Sequence, residues 1–128
     1  MIHGVGTDIV EIARMQRALD RHGERFAQRI LTDNEWLDYQ QCSRPAAFLA
    51  RRFAAKEAVV KAFGTGFRSG LSLRHIGVGH DAIGRPCVEL RARARELADS
   101  LGAGECHLSL SDEAAYAVAF VVAQRRHG

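Results

Sequence analysis

The stretch "PAAFLARRFAAKEAVVKAF", Pro45 to Phe63, constrains this chain more than any other. Ser43 followed by Pro45 marks a helix start, because proline suits the first helical position. Gly64-Thr65-Gly66 marks the stop. This is the longest helix the sequence predicts. At about 100° per residue, Leu49, Phe53, Val60 and Gly64 fall within one arc, and Glu57 falls inside it. A carboxylate in an apolar stripe is costly unless it is paired or binds a cation. Lys61, one helical turn on, supplies one answer, a salt bridge at the edge of the core in the favourable Glu-then-Lys order. A bound cation supplies the other.

A second carboxylate poses the same question. Ile2 to Val10 reads as a strand, apolar and β-branched with two glycines. Side chains alternate, so Ile2, Gly4, Gly6, Asp8 and Val10 share a face. Asp8 is either a strand-end residue capping the next helix or an acid placed for a ligand. Gly4-Val5-Gly6 is no dinucleotide fingerprint, since no third glycine opens a helix. It reads instead as a strand kept slim beside a ligand.

The remaining elements follow from period and punctuation. Glu11 to His22 has helical spacing, with Ile12, Met15 and Leu19 on one face and Arg14, Arg17 and Arg21 on another. Gly23 ends it, and Glu24 to Leu31 forms a short second helix. "TDNE", Thr32 to Glu35, has capping-box spacing and opens a third, carrying Trp36 and Tyr39. Phe67 to Leu73 is a loop. Strands are expected at Ile76–Gly79 and from Cys87 to Leu90 around the turn "DAIGRP". A helix over Arg91–Leu101 precedes two last strands, Cys106–Ser111 and Tyr116–Ala123. The tail "QRRHG" reads as frayed. Helices cluster early and closely connected strands late, which predicts an α+β fold, an antiparallel sheet packed with a long central helix, in one domain over 1–128.

The 128 residues suffice for one real core. No apolar run approaches the ~20 residues of a membrane span, and "MIHGVGTD" is not built like a secretory signal. Cys42, Cys87 and Cys106 form no CxxC, so reduced thiols and a cytoplasmic location are expected. The net charge of +3 suits an anionic partner but is no nucleic-acid-style excess. Of 18 Lys and Arg residues, only Lys56 and Lys61 are lysine. An ammonium is a compact charge that arginine's planar fork does not reproduce. Either arginine-rich usage left two lysines by chance, or a site needs ammonium groups there.

Asp8 and Glu57, two acids in apolar settings, together suggest a hard divalent cation. Magnesium takes one or two carboxylates and completes its shell with water and substrate phosphate. Lysines beside one of those acids suit a diphosphate.

"GVGTDIVEI" with "FAAKEAVVKAFGTG" resembles the holo-[acyl-carrier-protein] synthases, the short single-domain branch of the phosphopantetheinyl transferases. "LTDNEW", "GRPCVEL" and "HLSLSDEAAYAVAFVV" extend the likeness over nearly the whole chain. The resemblance implies Mg²⁺-dependent transfer of 4′-phosphopantetheine from coenzyme A to a serine of apo acyl carrier protein. Adenosine 3′,5′-bisphosphate would be released, in the service of fatty acid biosynthesis. It also implies a homotrimer with active sites between neighbours. By matching position, Asp8 and Glu57 would hold the metal. Lys61 and Lys56 would neutralise charge on the diphosphate and leaving group. Arg52 and Arg44 would hold the 3′-phosphate or adenine end, and Gly64 and Gly66 would let backbone approach the ligand. Arg14, Arg17 and Arg21 would dock the acidic carrier protein. Many members carry histidine where this chain has Asp112. The proton acceptor is thus left open among Asp112, Glu57 through a bound water, and the metal alone. His107 reads as a structural or surface histidine.

Two other classes compete. A small basic nucleic-acid-binding domain is disfavoured by dispersed arginines and only 7% aromatics. A non-catalytic coenzyme A-binding or scaffold protein would make Asp8 and Glu57 merely structural.

Overall fold

A computed structural model describes residues 1–68 and 70–126. Ser69 of the expected loop, and His127 and Gly128 of the tail, lie outside the described residues. The chain runs β1 (Ile2–Glu11), α1 (Ile12–His22), α2 (Glu24–Ile30), α3 (Asp33–Gln41) and α4 (Pro45–Phe63). A 3₁₀ turn (Leu73–His75), β2 (Ile76–His80), β3 (Pro86–Leu90), α5 (Ala92–Leu101), β4 (Ala103–Asp112) and β5 (Tyr116–Arg125) follow. The fold is α+β, as the pattern of early helices and late strands predicts. Its one sheet has the order β1-β5-β4-β3-β2, and every pairing is antiparallel.

Helix α4 is the centre of the core. Leu49, Ala50, Ala54, Ala55, Ala58, Val59 and Val60 have no exposure. It lies across β1 and β5, whose inward residues Val10, Ala117, Ala119, Val121 and Ala123 are small or branched and buried. Small residues on both surfaces let helix and sheet approach closely. The helix starts at Pro45 as expected, but the preceding position is Arg44, without a side-chain cap bond, so Ser43 is not the cap. Gly64 ends it at φ 84°, a left-handed conformation suited to glycine.

The slim strand has another cause than a ligand. A Cβ on Gly6 would lie 1.9 Å from the Ala58 carbonyl oxygen, and one on Gly4 2.1 Å from that of Ala62. The glycines are slots for the backbone of α4, not clearance for a substrate.

The Thr32/Glu35 capping box forms as expected. Strand β4 begins three residues earlier than the sequence suggests, because Gly102 and Gly104 mask its start. The tail is not frayed through its described part. Gln124 and Arg125 belong to β5, Arg126 N donates to the Gly102 carbonyl at 2.8 Å, and its Nη1 lies 2.6 Å from Asp99. Among the described residues no helix is long and apolar enough to cross a membrane.

Candidate active site

Packing β1 on α4 sets the site. Asp8 follows Gly6 on the inward face of β1, so the glycine slot brings its carboxylate to the flank of α4 where Glu57 and Lys61 project. Lys61 Nζ is 3.0 Å from Asp8 Oδ1 and donates to the Thr7 carbonyl at 3.0 Å. Neither simple reading of these acids holds. The residue before α1 is Glu11, so Asp8 is no helix cap. Lys61 bonds across to Asp8 rather than along its helix to Glu57.

Glu57 is half-buried. Burial pushes its pKa above the ordinary glutamate value, and the Asp8 carboxylate pushes it further, against opposition from Lys61 and Arg14. The Asp8 carboxylate is therefore near enough to disfavour the charged form of Glu57. Lys61, with its side chain 51% exposed, keeps its ammonium open to solvent. The local donor set is two carboxylates, and no cluster of three or more His, Cys, Asp or Glu side chains able to hold a metal occurs among the described residues. Two is what magnesium takes when phosphate and water complete its shell.

Lys56 is not part of this constellation. Its side chain has no exposure, its Nζ lies 2.6 Å from Glu35 Oε1, and it also donates to the Ile30 carbonyl. Burial lowers its pKa and Glu35 opposes the shift. The sequence reading that placed this ammonium on the diphosphate is corrected: Lys56 projects about 140° around α4 from Lys61, into the core against Glu35. Glu35 also accepts from Thr32 N at 2.8 Å and Val78 N at 3.0 Å, so one buried carboxylate ties α3, α4 and β2 together.

A second concavity opens on another face of α4. A cavity of about 680 Å³ is lined by Phe48, Arg51, Arg52, His80, Pro86 and Asp112, among others. That volume suits a small-molecule ligand. The Arg52 guanidinium lies 4.4 Å from the Phe48 ring centroid, and its Nε, 3.5 Å from Glu35 Oε2, is buried without a hydrogen bond. Arg51 Nη1 lies 3.2 Å from Asp112 Oδ2. The sequence reading did not single out Arg51 or Phe48. The Arg51–Arg52 doublet was visible, but its pairing with a residue 61 positions away was not. Arg44 is exposed before α4. Gly64 and Gly66 both have positive φ, and both their amides bond to the Val60 carbonyl. The structure thus gives these glycines a helix-ending role.

On α1, Arg14, Arg17 and Arg21 are exposed. Arg14 lies 5.5 Å from the Phe53 ring centroid and Arg17 bonds Glu11 at 3.1 Å. The exposed His107 pairs with Gln124 at 3.0 Å, a surface contact away from both sites.

The 4′-phosphopantetheinyl transferase superfamily matches residues 4–121. A holo-[acyl-carrier-protein] synthase of Halorhodospira halophila is 57% identical over 122 residues, spanning 95% of this chain and 97% of that protein. The holo-[acyl-carrier-protein] synthase structure from Neisseria meningitidis superimposes with a TM-score of 0.92 at 46% identity, covering 98% of this chain and 100% of that one. The Bacillus anthracis enzyme, solved in complex with coenzyme A (3′,5′-ADP), has a TM-score of 0.81 at 38% identity, covering 98% of each chain.

Proposed function

The chain belongs to the 4′-phosphopantetheinyl transferase superfamily, and from that premise we propose how its own residues carry out a holo-[acyl-carrier-protein] synthase reaction. The substrates are coenzyme A and an apo acyl carrier protein, and fatty acid biosynthesis is the process served. The serine oxygen of the carrier forms a bond to the phosphorus that bears pantetheine. The bond from that phosphorus to the bridging oxygen breaks. Adenosine 3′,5′-bisphosphate leaves with the bridging oxygen, and the serine proton passes to a base.

The observation that carries this reading is the opposition of Asp8 and Glu57 beside Lys61. Two carboxylates beside one another, Glu57 pushed toward its neutral form by burial and by Asp8, are the donor set for Mg²⁺, with Asp8 and Glu57 as its ligands. When bound, that ion supplies Lewis-acid polarisation of the attacked phosphoryl group. Lys61, free to solvent on one side, neutralises a diphosphate oxygen and the charge growing on the leaving group. Glu57, at the centre of the site, takes the serine proton through a bound water. Asp112 is engaged with Arg51 on a different face of α4.

Coenzyme A itself supports assembly of more than one copy. Its diphosphate and 3′-phosphate lie on the same nucleotide. Arg52, the residue assigned to the 3′-phosphate end, projects about 140° around α4 from Glu57 and about 180° from Lys61. That separation favours a site in which a neighbouring copy supplies the second half. An uncovered apolar surface is available for that contact. Ile9 is 62% exposed, Val5 54% and Phe120 47%, all on the outer faces of β1 and β5. A homotrimer of the kind the resemblance implies would cover such a surface.

Mass spectrometry of apo acyl carrier protein after incubation with coenzyme A and Mg²⁺ tests the reading. A gain of one phosphopantetheine on the carrier is expected. No mass gain under conditions that convert the carrier with an authentic synthase would overturn it.

A further inference from the structure

The Arg51–Asp112 pair is unused by the chemistry above, yet it is built into the wall of the larger cavity. We propose that Arg51 is a specificity-determining residue for a phosphate monoester on the nucleotide, and that Asp112 is the positioning residue that holds Arg51 for it. This rests on the coenzyme A reading, and the monoester is then the ligand's 3′-phosphate.

Three observations converge. First, Arg51 and Arg52 are consecutive on α4 and line the same cavity. They are close enough that Arg51 helps to lower the Arg52 pKa, although burial is the larger cause. Adjacent guanidinium groups repel unless an anion sits between them. Second, each has one acidic tether: Glu35 beside Arg52 at 3.5 Å and Asp112 beside Arg51 at 3.2 Å. Asp38 also lines the cavity and acts favourably on Arg52. These acids offset the repulsion without filling the space. Asp112 engages only Nη1 of Arg51, and a guanidinium carries five N–H donors in a planar fork. Third, Arg52 Nε is a buried donor with no hydrogen bond, at a side chain only 4% exposed. Its nearest acceptor is Glu35, so this guanidinium in the cavity wall is not fully satisfied by the protein.

A dianionic phosphate monoester answers all three. It presents several acceptor oxygens to two forks and is matched bidentately by guanidinium. The Phe48 ring, already against Arg52, supplies an apolar wall beside it. Asp112 then has a role that needs no proton transfer. Strand β4 ends at Asp112, and its carboxylate fixes the rotamer of an arginine whose side chain is 28% exposed and otherwise free to swing.

The test separates this role from the activity as a whole. Calorimetry compares adenosine 3′,5′-bisphosphate with adenosine 5′-monophosphate for the parent protein, Arg51→Ala and Asp112→Asn. Rates with coenzyme A and 3′-dephospho-coenzyme A are compared in parallel. In Arg51→Ala the preference for the bisphosphate should fall roughly ten- to hundredfold, the loss of one charged hydrogen-bonding group. In Asp112→Asn it should fall in the same direction by less, appearing in KM for coenzyme A more than in kcat. The double variant should be no worse than Arg51→Ala alone. An active parent whose preference survives Arg51→Ala overturns the inference and leaves the transferase reading standing. A drop in kcat without loss of discrimination in Asp112→Asn would place Asp112 in the chemistry and overturn its positioning role. A parent that transfers nothing from coenzyme A overturns the transferase reading itself.

Discussion

Lys61 reaches across the β1–α4 interface to Asp8, with Nζ 3.0 Å from Oδ1, while Glu57 on its own helix is left half-buried and facing the same aspartate. The raised pKa of Glu57 means that the folded protein resists its ionisation. Glu57→Gln removes that unfavourable charge, so its melting temperature without metal should equal or exceed the parent's near neutral pH. Transfer of phosphopantetheine should fall by about a hundredfold or more, the usual contribution of a positioned acid–base group. Rates by mass spectrometry and melts in chelator are the measurements. A variant with parental activity, or one that melts many degrees lower, contradicts the assignment.

Gly6→Ala tests the helix slot. The added Cβ meets a backbone carbonyl at 1.9 Å, which no side-chain rotation relieves. Overpacking of this kind costs about 1–3 kcal/mol. Because the slot also places Asp8 against α4, activity should fall more steeply than stability. Gly79→Ala, whose Cβ has nothing within 4 Å, is the control. Chemical denaturation should separate the two, and equal midpoints would refute the slot.

Helix α4 was legible because its start, stop and length are written locally: Pro45 opens it and Gly64 closes it. The antiparallel sheet was legible from short connections. The helix face of Lys56 was not. Its destination depends on Glu35, which packs against it from α3, and one-dimensional spacing favoured grouping the two lysines. The purpose of Gly4 and Gly6 was hidden for the same reason, since the atoms they avoid belong to residues more than fifty positions away. Asp8 and Glu57 stood out because both are acids in apolar settings. Arg51 did not, because an arginine on a helix looks like solvated charge until its partner is seen.

The buried Lys56–Glu35 pair predicts a non-additive response. Lys56→Met leaves Glu35 with the Thr32 and Val78 amides and Arg52 nearby, but without its ammonium. Removing one partner of a buried pair costs about 3–5 kcal/mol. Lys56→Met with Glu35→Gln should recover part of that loss, since no unpaired carboxylate then remains. Denaturation midpoints in a double-mutant cycle are the measurement. Strict additivity would show that the two groups are not coupled.

The cysteines give a pH prediction. Burial pushes the Cys106 thiol from 9.0 up to about 11, whereas Cys87 is exposed. The thiolate is the reactive form. Alkylation at pH 8.5 followed by peptide mass mapping should label Cys87 first, with Cys106 lagging until far more alkaline pH. The sign for stability follows. Because its folded pKa is raised, the contribution of Cys106 is present below pH 9.0 and is lost as pH rises through about 11. Cys106→Ala should flatten that alkaline loss, and an unchanged slope would contradict it.

Helix α1 carries the docking prediction, and the structure refines which residues test it. Arg14 acts on Glu57 as well as lying over Phe53, so reversing its charge would confound docking with chemistry. Arg17 is tied only to the exposed Glu11, and Arg21 enters none of the ion pairs found among the described residues. Arg17→Glu combined with Arg21→Glu therefore isolates the surface charge. If an acidic carrier protein docks on this helix, its KM should rise roughly tenfold at low ionic strength, the scale of a few weak surface pairs. KM for coenzyme A should stay near the parent's. The defect should shrink as salt increases, because screening at 1 M shortens the reach of surface charges to about 3 Å. Steady-state rates across a salt series are the measurement, and a KM for the carrier equal to the parent's at low salt would remove α1 from the docking surface.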